Sequence, residues 1–143
     1  MNQLITLSGF VDETWPANGV IVPVDGLLAG DLPPVRPLAI DIEATTNPGD
    51  LAPWCIVIDL IRIPFANSAD GRGVSLALRF RSLGYAGRIR AVGHVLVDQF
   101  RAALRVGIDE IEIDDLQAAR NPEAQWLAAR DGASYQARLF AAE

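Results

Sequence analysis

A glycine-bearing segment between an apolar strand and a predicted helix holds residue types that bind small anions. Its members are Asp70, Gly71, Arg72, Gly73 and Ser75. The N–H groups of a first helical turn have no partner inside the helix, and an arginine binds an oxyanion through two parallel hydrogen bonds. Glycine lets a ligand approach the backbone closely. The segment therefore predicts a loop that accepts acetate, sulfite, sulfate or phosphate.

The alternative interpretation of this segment is a tight turn in which Asp70 caps the helix. A dinucleotide-binding fingerprint does not fit, because Gly71 and Gly73 are followed by Val-Ser-Leu and not by a third glycine. A Walker loop does not fit either, because the chain contains no lysine. The segment is thus either a simple anion loop or a turn.

The next predicted connection repeats the order of strand, glycine and helix with Arg90, Gly93 and His94. Parallel strands end at the same edge of a sheet, so we expect these three residues to complete the anion site. His94, the only histidine, also begins a row on one helix face that continues with Asp98, Arg101 and Arg105. A solvated face with internal ion pairs is the simpler interpretation of that row.

Two further groups of acidic residues have a chemical and a structural interpretation. Glu110, Glu112 and Asp114 alternate along a strand, which a water-facing acidic surface explains better than a cation site, so no metal is predicted. Asp59 lies in an apolar run, where burial would raise its pKa or an arginine would pair with it. Asp59 and His94 are therefore weak candidates for a catalytic base.

The charge of the chain is unevenly distributed. The stretch 62–105 holds eight of the twelve arginines against two aspartates, a local balance of +6, whereas the whole chain has a net charge of −6. A basic region between acidic flanks predicts a surface for an anionic ligand or partner. The acidic total and the pI near 4.7 argue against a nucleic-acid partner.

Composition also indicates compartment and assembly. Cys55 is the only cysteine, which rules out an internal disulfide and a CxxC pair, and no cofactor motif is present, so no cofactor is predicted. The acidic amino terminus and the lack of a long apolar run predict a cytoplasmic protein with no membrane partner. Half of the residues are hydrophobic, which predicts a homo-oligomer.

Alternating strand and helix patterns predict an α/β domain over residues 38–143, preceded by a β-rich extension and proline-rich connector over 1–37. Its core is a parallel sheet built from successive strand–helix units, as a three-layer sandwich or a partial barrel. The apolar run 55–63 predicts the most buried strand, ended by Pro64. Helices are predicted from about 73 to 83 and from 94 to 106.

Several short motifs occur in a fixed order along residues 38–140. They are Phe65-x4-Asp-Gly-Arg-Gly-x-Ser75, Leu83-Gly-Tyr-x-Gly87, Arg90-Ala-Val-Gly93, Asp98-Gln99 and Tyr135-Gln136. In this order they resemble a bacterial family catalogued as domain of unknown function nine hundred and thirty-four. Val74, Leu78 and His94 stand where the family pattern usually has Tyr, Arg and Asp, which predicts an apolar patch beside the anion site.

Members of that family are often labelled as oxidoreductases involved in sulfite reduction. The resemblance therefore implies an accessory protein of sulfite reduction and sulfur assimilation, with a small oxyanion as ligand and sulfite reductase as a possible partner. Two other interpretations stay open. One is a non-catalytic anion-binding or protein-interaction module, and the other is a small lyase or isomerase that uses His94 or Asp59 as a general base.

Overall fold

The computed structural model describes residues 2–30, 35–66 and 71–132. The strands of its single sheet are β1 (Asn2–Thr6), β2 (Gly9–Val11), β3 (Val20–Pro23), β4 (Leu38–Asp41), β5 (Leu60–Phe65), β6 (Arg88–Gly93) and β7 (Glu110–Asp114). The helices are α1 (Val24–Leu28), α2 (Arg72–Ser82), α3 (Phe100–Arg105), α4 (Asp115–Arg120) and α5 (Glu123–Arg130), with 3₁₀ helices at Pro48–Trp54 and Val97–Gln99.

The seven strands lie in the order β2-β1-β7-β6-β5-β4-β3. Strands β3 to β7 are parallel, and β1 runs antiparallel to both β7 and β2. Each parallel strand lies beside the one that precedes it in the chain, so every crossover moves one place in the same direction. Because such crossovers are right-handed, the connecting segments all lie on the same face of the sheet.

The composition of the core agrees with that arrangement. One face of the sheet carries a row of buried side chains, namely Ile5, Ile40, Ile61, Ile89 and Ile111. The side chains that pack against them from the helical segments are Leu27, Leu51, Leu76, Phe80, Phe100 and Trp126. The predicted α/β fold with a mostly parallel sheet is confirmed, and the described helices cover one face of that sheet.

The strand β5 begins later than the apolar run predicts. Residues 55–57 form a turn after the 3₁₀ helix, in which the Val57 N–H donates to the Trp54 carbonyl (2.9 Å), and Ile56 is 89% exposed. Hydrophobicity alone does not distinguish a strand from such a turn. The strand also continues through Pro64, which is tolerated because pairing with β4 stops at Arg62.

The predicted helix 94–106 is wrong at its start. Gly93 has a φ of +122°, and the backbone stays extended at Leu96, whose N–H donates to the Gln99 side chain (2.8 Å). The α-helix begins only at Phe100, after one 3₁₀ turn, so His94 does not share a helix face with Asp98. Leu96 is therefore exposed.

The first 37 residues contribute strands to both sides of the same sheet. The hairpin of β1 and β2 extends it beyond β7, and β3 extends it beyond β4. Among the described residues, none of the helices has the length and apolar character needed to cross a membrane.

Candidate functional site

An open groove lies where β4 and β5 end, at the carboxyl edge of the parallel strands. It has a volume of about 510 Å³ and is formed by the loop after β4 and the first two turns of α2. Its lining residues are Ala44, Thr45, Thr46, Asn47, Gly71, Arg72, Ser75, Leu76 and Arg79. Open α/β sheets place ligands at this edge, so the groove is the candidate site.

The loop that forms one wall is held by its own polar groups. The Glu43 N–H donates to Thr46 Oγ1 (2.9 Å), and the Thr46 N–H donates to the Glu43 carbonyl (3.0 Å). Asn47 caps the 3₁₀ helix by accepting from the Gly49 N–H (3.1 Å). The exposed hydroxyl of Thr45 makes no hydrogen bond with another described residue, so it can turn towards a ligand.

The other wall is the amino-terminal half of α2. Gly71 is the N-cap residue, and no side chain of a described residue caps this helix. Gly73 lies directly against Phe65 at the end of β5, because a Cβ at this position would come within 2.4 Å of the ring. Gly73 therefore fixes the helix on the strand, whereas no described atom lies within 4 Å of a Cβ built at Gly71.

Three polar side chains of α2 point to the same side of the helix. Arg72, Ser75 and Arg79 are spaced by three and four residues, which places them on one helix face. Arg79 Nη2 donates to Asn47 Oδ1 (2.8 Å) and so joins the helix to the opposite wall. The described residues that line the groove include two arginines and no acidic residue.

The structure brings only some of the predicted ligand residues together. Gly71, Arg72 and Ser75 line the groove, and Gly73 lies buried beneath them. Asp70 falls outside the described residues. These positions agree with the expected place of the anion loop but leave its ligand to be tested.

Gly93 and His94 lie beside the end of β5 rather than among the residues that line the groove. The His94 N–H donates to the Phe65 carbonyl (2.7 Å), and a Cβ at Gly93 would come within 2.6 Å of the same oxygen. The His94 side chain is exposed. Both residues are therefore near the edge that carries the groove, and they fix the strand ends there.

Arg90 does not reach the groove. Its side chain is 2% exposed and lies on the opposite face of the sheet, away from the helices. Its guanidinium donates to Glu13 (2.8 and 3.0 Å), Glu110 (3.1 Å) and Glu112 (2.8 Å). Burial alone would lower the pKa of Arg90, but the hydrogen bonds and charges of these carboxylates outweigh it and raise the pKa. Arg90 is thus a charged structural residue.

The same ion network corrects the interpretation of the β7 carboxylates. Glu110 is buried and accepts from Arg88 (2.6 and 2.9 Å), while Glu112 also accepts from Arg62 (3.2 Å). A water-facing acidic surface is therefore wrong for these two residues. In the described part of the chain no cluster of three or more histidine, cysteine or acidic side chains is arranged to hold a metal ion.

The basic stretch 62–105 is partly neutralised in three dimensions. Within the described residues, acidic side chains from the flanks form the pairs Arg62–Asp41, Arg81–Asp109, Arg88–Glu110 and Arg90–Glu13. The local balance of +6 therefore does not produce one continuous basic surface. Arg72 and Arg79 belong to the same stretch and line the groove.

The candidate bases do not form a catalytic arrangement with the groove. Asp59 lies at the start of β5, at the opposite edge of the sheet, and accepts from Arg36 (3.0 and 3.0 Å) and from the Leu38 N–H (2.7 Å). The hydrogen bond from Arg36, opposed by burial and helped by the Leu38 N–H, lowers the pKa of Asp59. Asp59 therefore pairs with an arginine, which was the second of its two interpretations.

The predicted apolar patch beside the site is smaller than expected. Leu78 is 52% exposed, but Val74 is half-buried and packs against the core. Sequence reasoning missed Thr45, Asn47 and Arg79. Thr45 and Asn47 follow the predicted strand 38–42, which must end at the same edge of the sheet as β5. Arg79 comes two helical turns after Arg72, and this spacing places it on the same helix face.

Together, the fold and the groove define an α/β protein with an arginine-lined groove at the carboxyl edge of a mostly parallel sheet. The chain belongs to the bacterial protein family of unknown function DUF934, whose model matches residues 39–142. This match confirms the family that the motifs resemble. No curated protein and no solved structure matches the chain.

Proposed function

We propose that the protein is an oxyanion-binding accessory protein and that the groove beside α2 is its binding site. The observation that supports the proposal is the lining of the groove, in which Arg72, Arg79 and two hydroxyls occur with no described carboxylate. A sulfite, sulfate or phosphate group would accept two hydrogen bonds from Arg72 and further ones from Ser75 and Thr45. The helix dipole at the start of α2 would stabilise a bound anion by about 0.3–1 kcal/mol.

The place of this activity in sulfite reduction is part of the proposal and rests on the family resemblance. It makes sulfite the first ligand to test, sulfite reductase the first partner, and the cytoplasm the expected compartment. The interpretation as a lyase or isomerase has less support, because Asp59 is ion-paired at the other edge of the sheet and His94 is not among the groove residues.

Calorimetric titration with sulfite, sulfate and phosphate tests the binding site. Arg72→Ala should weaken binding by about ten- to hundredfold, because it removes a charge-assisted contact worth roughly 1.5–3 kcal/mol. Arg105→Ala is the matched control, since Arg105 is exposed in the last turn of α3, outside the groove. The proposal fails if the wild type binds none of these anions or if Arg72→Ala binds them equally well.

Homo-oligomerisation stays a prediction. Large apolar side chains that are exposed on the single chain support it, namely Ile56, Leu78, Leu96 and Leu116. Sedimentation equilibrium at micromolar concentration should show a species heavier than the 15.4 kDa chain, and a single monomeric species would contradict it.

A further inference from the structure

We infer that the natural ligand of the groove is a small organic molecule with two oxyanion groups, one bound at Arg72 and the other at Arg79. This inference rests on the proposed function, because it takes the first oxyanion at Arg72 as given. It adds a second anionic subsite to the proposed oxyanion site.

The two arginines are two helical turns apart on the wall that α2 contributes to the groove. They are seven residues apart, which corresponds to about 10 Å between their Cα atoms along the helix axis. Both face the groove, with Ser75 between them. The Arg79 guanidinium is held on Asn47 of the opposite wall, so an anion bound by Arg72 and Ser75 leaves it for a second anionic group.

The charge of Arg79 is positioned but not neutralised by the described residues. Its Nη2 donates to Asn47 Oδ1 (2.8 Å), which is a neutral acceptor, and no described carboxylate lies within ion-pair distance. Asn47 is itself fixed, because the same oxygen accepts from the Gly49 N–H (3.1 Å). The guanidinium is thus held against the loop wall with its remaining N–H groups available to an anion.

The size of the groove agrees with an organic ligand. A volume of about 510 Å³ lies within the usual range of about 300–1,000 Å³ for small-molecule sites and is far larger than one tetrahedral anion. Between the two arginines the lining offers the hydroxyls of Thr45 and Ser75 and the apolar side chains of Ala44 and Leu76. These groups suit a polar carbon framework that connects two charged ends.

Calorimetric titration with three probes tests the second subsite. The probes are inorganic phosphate, fructose monophosphate and fructose bisphosphate, whose two phosphates are at opposite ends of the sugar. The proteins are the wild type, Arg72→Ala, Arg79→Gln, Arg79→Lys and the control Arg105→Gln. Circular dichroism melting curves confirm that each variant is folded.

We expect the wild type to bind the bisphosphate about tenfold more tightly than the monophosphate, the effect of one additional charge-assisted contact. Arg79→Gln should abolish this advantage, and it should weaken inorganic phosphate less than Arg72→Ala does. Arg79→Lys should keep part of the advantage, and Arg105→Gln should keep all of it. Arg72→Ala should weaken all three probes.

The outcomes separate this inference from the proposed function. If phosphate binds in an Arg72-dependent manner but the bisphosphate has less than a twofold advantage, or if Arg79→Gln weakens every probe equally, the second subsite is wrong and the oxyanion site stands. If no probe binds to the wild type, both proposals are wrong.

Discussion

Arg79 and Arg90 lie on opposite sides of the same sheet and show how differently one residue type can be used. Arg90 is 2% exposed, and three carboxylates surround its guanidinium. Arg79 is exposed and contacts only the neutral oxygen of Asn47 among the described residues. The charge of Arg90 is compensated by these carboxylates, whereas the charge of Arg79 is exposed at the surface.

This difference shows where function should be sought in an arginine-rich chain. A buried arginine with a complete set of acceptors is held by the fold, and its removal leaves carboxylates without compensation. An exposed arginine contributes little to stability, so its removal should leave the fold intact. We therefore expect substitution of Arg90 to lower stability, and substitution of Arg79 to affect binding and leave stability nearly unchanged.

The largest effect is expected for Arg90→Met. This change leaves Glu110 and Glu112 with fewer cationic partners on a buried face, and removal of one partner from a buried ion network costs about 3–5 kcal/mol in the free energy of unfolding. Urea unfolding followed by circular dichroism measures it. Arg105→Met, on an exposed face, should stay within about 0.5 kcal/mol of the wild type. A loss below about 1 kcal/mol for Arg90→Met would remove the distinction between the two faces.

The next effect separates two neighbouring glycines of the groove. Gly73→Ala places a methyl group within 2.4 Å of the Phe65 ring and should cost about 1–3 kcal/mol in the free energy of unfolding. Gly71→Ala meets no described atom within 4 Å at a φ of −77°, so stability should be unchanged or rise by up to about 1 kcal/mol. Thermal and urea unfolding of both variants tests this. Equal destabilisation by the two substitutions would contradict the packing role of Gly73.

Acid should weaken the buried network through Glu112. Burial alone would raise the pKa of Glu112, but hydrogen bonds from Asn2 and Arg90 and the charges of Arg62 and Arg90 outweigh it, so the pKa lies below its usual value. A carboxylate of this kind contributes stability that is fully present above its unfolded pKa of about 4.3 and is lost as the pH falls through its folded pKa.

We therefore expect Glu112→Gln to be less stable than the wild type at neutral pH, with a difference that narrows below about pH 4. Urea unfolding of both proteins across the acidic range measures the difference, and the remaining carboxylates titrate in both. A difference that stays constant with pH would show that Glu112 does not contribute through its charge.

Sequence reasoning located the fold and one wall of the groove because both depend on local patterns. Alternating strands and helices predict a parallel sheet, and the glycine segment before α2 predicts Gly71, Arg72 and Ser75 at its carboxyl edge. Arg90 was misplaced because neighbouring positions on a strand point to opposite faces, and its partner Glu13 is 77 residues away. Such long-range pairing has no local signal in one sequence.

Only a small loss of stability is expected for Arg79→Ala, which tests the other half of the comparison. Arg79 is exposed on α2 and makes one hydrogen bond to Asn47, whose capping bond to Gly49 remains without it. Exposed pairs of this kind contribute about 0–1 kcal/mol, so the free energy of unfolding should fall by no more than that. Urea unfolding of Arg79→Ala beside Arg90→Met gives the measurement. A loss of more than about 2 kcal/mol would mean that Arg79 is a structural residue that holds the loop on the helix. The proposal that Arg79 binds an anion in the groove would then lose its support.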